Sequence, residues 1–151
     1  MATTIIYSSI GGNTELVVKK VDQILCEESV STEIFRVENV DFGLFEKRQF
    51  WVLASPTYHQ GELEKGFQNF LSSFRKLNLE NHKFAVVGLG DRRYYSEYLC
   101  DSAKILEDFI SEVKGELLLP SLRIGTNPLP LLNSTVVNWS RRLANTIKSL
   151  N

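Results

Sequence analysis

The run Phe50-Trp51-Val52-Leu53-Ala54 has no polar position. A strand with one wet face alternates polar and apolar residues, so a run without alternation predicts a strand covered on both sides. Around it, strand-like and helix-like segments alternate along the whole chain, which predicts βαβ units and a parallel sheet. Strands are expected over Thr3 to Ser8, Thr32 to Val37, Phe50 to Ala54, Phe84 to Gly88 and Glu116 to Ile124. Four helices are marked by apolar residues at helical spacing. The first carries Val17, Val21, Ile24 and Leu25, and the second Leu63, Phe67, Phe70, Leu71 and Phe74. The third carries Leu99, Ala103, Leu106, Ile110 and Val113, and the last Val136, Trp139, Leu143, Ile147 and Leu150. Pro120 has no N–H for a sheet ladder, so the fifth strand is expected at an edge or with a bulge. The expected architecture is α/β, a doubly wound five-stranded parallel sheet with helices on both faces, in one domain over residues 1–151.

Composition narrows the partners. At 151 residues with a net charge of −1, the chain has no basic stripe with interleaved aromatics, so a nucleic-acid partner is not expected. No apolar run approaches the ~20 residues that cross a bilayer, and the start does not read as a secretory signal. Cys26 and Cys100 form no Cys-x-x-Cys pair and read as reduced thiols, which predicts a cytoplasmic protein without a membrane partner.

In a doubly wound sheet the ligand sits beyond the carboxyl ends of the strands, where the strand order reverses. The loops after the first, third and fourth strands therefore matter most. The first is Ser8-Ser9-Ile10-Gly11-Gly12-Asn13-Thr14, directly before a helix. Its backbone N–H groups and the helix dipole favour an anion such as a phosphate, and Ser9, Asn13 and Thr14 add possible donors. Taken alone, the loop is equally compatible with a helix cap and a tight turn. It lacks the Gly-Lys-Ser/Thr of a Walker loop.

The second loop, Ser55-Pro56-Thr57-Tyr58-His59-Gln60-Gly61-Glu62, places an aromatic beyond a buried strand. Tyr58 is able to cover one face of a flat ring. His59 has no second histidine nearby, so no metal site is expected. The third loop begins Gly88-Leu89-Gly90-Asp91-Arg92-Arg93 and continues Tyr94-Tyr95-Ser96-Glu97-Tyr98-Leu99-Cys100-Asp101. Three tyrosines within five residues exceed what packing requires. Gly88 and Gly90 are expected to let backbone approach a ligand, with Tyr95 opposite Tyr58. Cys100 reads as a small packing residue.

Together the three loops resemble those of the flavodoxin family, over the whole length of the chain. Ser9, Gly12 and Thr14 match its Thr/Ser-x-x-Gly-x-Thr stretch, and Thr57 to Glu62 is similar to its Thr-aromatic-x-x-Gly-Glu loop. Gly88-Leu89-Gly90-Asp91 and Tyr95 to Asp101 resemble its Gly-x-Gly-Asp and Tyr-x-Glu-Tyr-Phe-Cys-Asp segments, with the spacing of long-chain members. The fifth strand lacks their insertion, so the chain resembles a short flavodoxin with a long-type flavin loop.

The resemblance implies strand order 2-1-3-4-5 and noncovalent FMN. Ser9, Ile10, Gly11, Gly12, Asn13 and Thr14 would hold its phosphate, with Ser8 also in the cofactor site. Pro56, Thr57, Tyr58, His59, Gln60 and Gly61 would line one side of the ring, with Tyr58 and Tyr95 on its two faces. Backbone near Leu89, Gly90, Asp91, Tyr98 and Cys100 would meet the pyrimidine edge, with Gly88 and Leu99 also in the cofactor site. It further implies a low-potential one-electron carrier without catalytic side chains, monomeric, serving a flavodoxin/ferredoxin reductase and acceptor enzymes. The alternatives are a flavoprotein dedicated to one enzyme, such as a ribonucleotide reductase activator, and an NAD(P)H-dependent flavin or quinone reductase. A signalling receiver would need acidic residues where Ser8, Ser9 and Ser55 stand.

Overall fold

The computed structural model describes residues 2–9, 11–41, 43–58, 62–90 and 101–150, with the side chain of Tyr58 outside them. In chain order the elements are β1 (Thr3–Tyr7), α1 (Asn13–Glu27), β2 (Thr32–Arg36), α2 (Leu44–Lys47), β3 (Phe50–Tyr58), β4 (Glu62–Leu63), α3 (Lys65–Phe74), β5 (Lys83–Leu89), α4 (Asp101–Glu112), β6 (Glu116–Leu117), β7 (Leu122–Ile124) and α5 (Thr135–Ser149). Parallel strands run in the order β2-β1-β3-β5-β6, with β7 also on β5, so the expected order holds.

The sheet is buried on both faces because the central strands alternate large apolar residues to either side. Ile5, Tyr7, Val52, Ala54, Val87 and Leu89 face α1 and α5, where they meet Val17, Val21, Val136 and Leu143. Ile6, Trp51, Leu53, Phe84 and Val86 face the other way, onto Phe45, Phe67, Phe70, Leu106 and Phe109. Here Trp51 stacks on Phe45 with ring centroids 4.2 Å apart.

Trp51 Nε1–H also donates to His82 Nδ1 at 2.9 Å, which requires that nitrogen to be unprotonated. Burial pulls the His82 imidazole below its usual 6.5. The unfolded chain therefore takes up this proton at higher pH than the folded one. The His82 contribution is full above about 6.5, falls as pH drops through the window below it, and is constant beneath the folded value. Thermal melts are expected to show a wild-type loss of stability on acidification from pH 7.5 that exceeds the loss in His82→Gln.

The structure refines the boundaries. The expected fifth strand is split: the register moves from Glu116↔Lys83 to Leu122↔Val87, and the intervening edge segment carries two residues more than β5. Pro120 lies in this bulge, where its carbonyl accepts the Trp139 indole N–H at 2.9 Å. Leu63 belongs to β4, antiparallel to the end of β3, and not to α3. Val113 is buried just past α4, and Leu150, expected on the buried face of the last helix, is half exposed.

Candidate functional site

The strand ends bring the three loops together. Tyr7 is in register with Ala54, and Ala54 with Val87, so β1, β3 and β5 deliver their loops to one edge of the sheet. On the other side of β1, Arg36 at the end of β2 is in register with Tyr7.

The first loop leaves β1 at Ser8, whose N–H still bonds the Ala54 carbonyl at 3.2 Å. The Ser9 hydroxyl accepts the Glu15 N–H at 3.4 Å. Gly11 and Gly12 have φ of 83° and 88°, in the left-handed region that other residues enter at a cost. Gly12 is the N-cap of α1 and brings no side-chain cap, so the cap reading of Ser9 or Asn13 accounts for only one amide. The Asn13 and Thr14 N–H groups have no hydrogen-bond partner among the described residues. A Cβ built on either glycine would meet nothing within 4 Å among the described residues.

Three buried hydroxyls lack a partner among the described residues: Thr3, Thr4 and Ser8. The first two lie at the start of β1, while Ser8 lies at its end, beside the open turn. A buried hydroxyl without a partner costs free energy that a bound acceptor restores. Free amides, positive-φ glycines and this hydroxyl make the turn a candidate anion cradle, since these are donors of the chemistry that a phosphate takes. Among the described residues no group of His, Cys, Asp or Glu suits a metal ion.

Arg36 was missed by the sequence reading. Its Nη2 donates to the Ser9 carbonyl and its Nε to Glu38, both at 3.2 Å. The guanidinium also lies 5.3 Å from the centroid of the Tyr7 ring. The Glu38 carboxylate, outweighing partial burial, raises Arg36 above its ordinary value. A lone arginine ending a strand gives no sequence signal; only the adjacency of the first two strands points to it.

At the second loop, β3 runs on to Tyr58 and pairs back with β4, Thr57 opposite Leu63 and Tyr58 opposite Glu62. His59, Gln60 and Gly61 at its tip lie outside the described residues, as does Ile10 in the first loop. The Thr57 hydroxyl donates to Ser102 Oγ at 2.9 Å and accepts the Ser102 N–H at 3.1 Å. Ser102 Oγ in turn donates to the Ser55 carbonyl at 3.0 Å. Thr57 thus caps the first turn of α4 from another segment and ties the second loop to the end of the third. Pro56, beside it, is half-buried.

The third loop contributes Gly88, Leu89 and Gly90 to the described residues; Asp91 to Cys100, including Tyr95, Tyr98 and Leu99, lie outside them. Packing by itself requires a glycine at Gly88, because its Cβ would stand 2.6 Å from Ala103 Cβ and 2.8 Å from Ala103 N. Leu89 is buried, and the Gly90 N–H bonds the Ile124 carbonyl at 2.9 Å.

A candidate anion cradle at the helix after the first strand, at the same sheet edge as the ends of β3 and β5, is where a doubly wound sheet binds its ligand. The chain belongs to the flavodoxin family, FMN-binding electron carriers, whose model matches residues 5–139. It is 26% identical to a probable flavodoxin 2 of Bacillus subtilis (strain 168) over 141 residues, which are 93% of this chain and 92% of that one. It is 29% identical to the flavodoxin of Buchnera aphidicola subsp. Acyrthosiphon pisum over 114 residues, covering 76% of this chain and 66% of its relative. In fold it is similar to oxidised flavodoxin 1 from Bacillus cereus, with a TM-score of 0.88 over the full length of both chains at 20% identity.

Proposed function

We propose that this chain is a one-electron carrier in which residues 8–14 hold the FMN phosphate and the loops after β3 and β5 hold the ring. The observation that carries this reading is the cradle. Among the described residues, the Asn13 and Thr14 amides and the Ser8 hydroxyl are left without partners around two left-handed glycines, donors of the kind that a phosphate takes. FMN supplies the redox chemistry, and the protein binds, orients and shields it. Backbone donors at residues 11–14 orient the phosphate, and the Thr57–Ser102–Ser55 hydrogen bonds fix the spacing of the other two loops. Tyr58 and Tyr95 cover the ring faces, and the remaining contacts come from Pro56 to Gly61 and Gly88 to Cys100, in a flavin loop of long-chain type.

The sequence and family membership support the rest: one domain over residues 1–151, a monomer in the cytoplasm, and exchange with a flavodoxin/ferredoxin reductase and acceptor enzymes without catalysis by the chain itself. No helix among the described residues is long and apolar enough to cross a membrane. Titration of the flavin-free protein with FMN tests the reading: saturable quenching of flavin fluorescence at one FMN per chain supports it, and no uptake overturns it.

Arg92 and Arg93 lie within the flavin-loop sequence of a chain whose net charge is only −1. Positive charge within about 8–10 Å stabilises a reduced, anionic flavin and raises its potential. Alanine at both positions is expected to lower the more negative potential by on the order of tens of millivolts. A redox titration in which that potential stays put contradicts this.

A further inference from the structure

We propose that Arg36 is a positioning residue that makes the cradle selective for a phosphorylated flavin, an inference that rests on the FMN assignment above. Arg36 ends β2, on the flank of β1 away from the other two ligand loops. Its side chain, though partly exposed, is tethered at three points: the Ser9 carbonyl, the Glu38 carboxylate and the Tyr7 ring. A planar fork fixed in this way loses little further freedom when it acts on its neighbour. Ser9 is gripped a second time through its hydroxyl, which accepts the Glu15 N–H. Ser9, between the end of β1 and the glycines, is therefore held at two atoms, one of them by a residue 27 positions away.

The charge at this place matters as much as the clamp. Two carboxylates flank the cradle. Glu38 is bonded to Arg36, and Glu15, in the first turn of α1, accepts the Tyr7 hydroxyl at 3.2 Å. Lys19 reaches Glu15 only at 3.9 Å and is largely exposed. Arg36 is the cation bonded to the loop itself among the described residues. Without it, a dianionic phosphate would meet two carboxylates and a solvated lysine, whereas the uncharged ribityl end of riboflavin would be indifferent. Because the guanidinium is partly exposed, its field is screened by salt, and the effect belongs to the moderate range.

The flavin-free wild type, Arg36→Ala, Arg36→Gln and Arg36→Lys are titrated with FMN and with riboflavin at low and at physiological salt. Gln keeps a donor for the Ser9 carbonyl without the charge; Lys keeps the charge without the fork. Both neutral variants are expected to bind FMN about tenfold more weakly at low salt, with riboflavin affinity within about twofold of wild type. Their FMN affinity is expected to depend less on salt, and Lys to recover part of the loss. An equal loss for both flavins overturns the proposal and leaves Arg36 a strut of the loop. Wild-type FMN affinity in the Ala and Gln variants overturns it as well. A wild-type chain that binds neither flavin overturns the FMN assignment itself, and this proposal with it.

Discussion

Alanine at both Gly11 and Gly12 is expected to weaken FMN binding by roughly tenfold to a thousandfold while leaving the chain folded. The cause is backbone strain, since a Cβ at either position meets no atom within 4 Å among the described residues. At φ near 83° and 88° each alanine costs about 1–2 kcal/mol. The loop relieves that strain by leaving the left-handed region, which turns the Asn13 and Thr14 amides out of their present orientation. Asparagine tolerates left-handed backbone better than alanine, so Gly12→Asn is expected to bind FMN more tightly than Gly12→Ala. Titration of the flavin-free variants reads the affinity, and circular dichroism checks the fold. Unchanged affinity in the double alanine variant would show that these amides do not hold the phosphate.

Gly88→Ala is expected to destabilise the protein by about 1–3 kcal/mol, a fall in Tm of roughly 2–12 °C. Here the cause is steric. The new methyl would stand 2.6 Å from Ala103 Cβ and 2.8 Å from a backbone nitrogen, and a helix backbone has no rotamer to yield. Relief requires α4 to move off the sheet, and its first turn is what Ser102 anchors to Thr57 and Ser55. The same substitution is therefore expected to weaken flavin binding from a buried position. Adding Ala103→Gly removes the facing methyl and is expected to restore part of the lost Tm. A thermal melt of Gly88→Ala that coincides with wild type would mean that the close approach of α4 to β5 is not what this glycine serves.

Much of the frame is written in local pattern. Phe50 to Ala54 carries no polar residue and is a central strand buried on both faces, and Pro120 marks the bulged edge where a missing N–H is tolerated. The glycine turn before α1 was legible for a similar reason: adjacent glycines before a helix make a feature of a few consecutive residues. What stayed hidden depends on contacts distant in sequence. Leu63 sits four residues before Phe67 and seven before Phe70, so helical spacing absorbed it, and only pairing with Thr57 makes it a strand. Gly88 stands in a ligand-loop motif, yet the atom that forbids its side chain belongs to Ala103. The Thr57 hydroxyl, grouped with the ring-binding loop, is engaged by Ser102, 45 residues on. Arg36 acts on Ser9 across 27 residues, and nothing in its own neighbourhood in the sequence distinguishes it from a solvated arginine.

One-electron carriage on FMN is tested most directly by stepwise anaerobic reduction of the purified protein, followed by its absorption spectrum. Flavin bands that vanish in two resolved one-electron steps at separate potentials are the expected result. Bleaching in a single two-electron step would keep the flavin but contradict the carrier function, and a colourless protein that also refuses added FMN would contradict the cofactor itself.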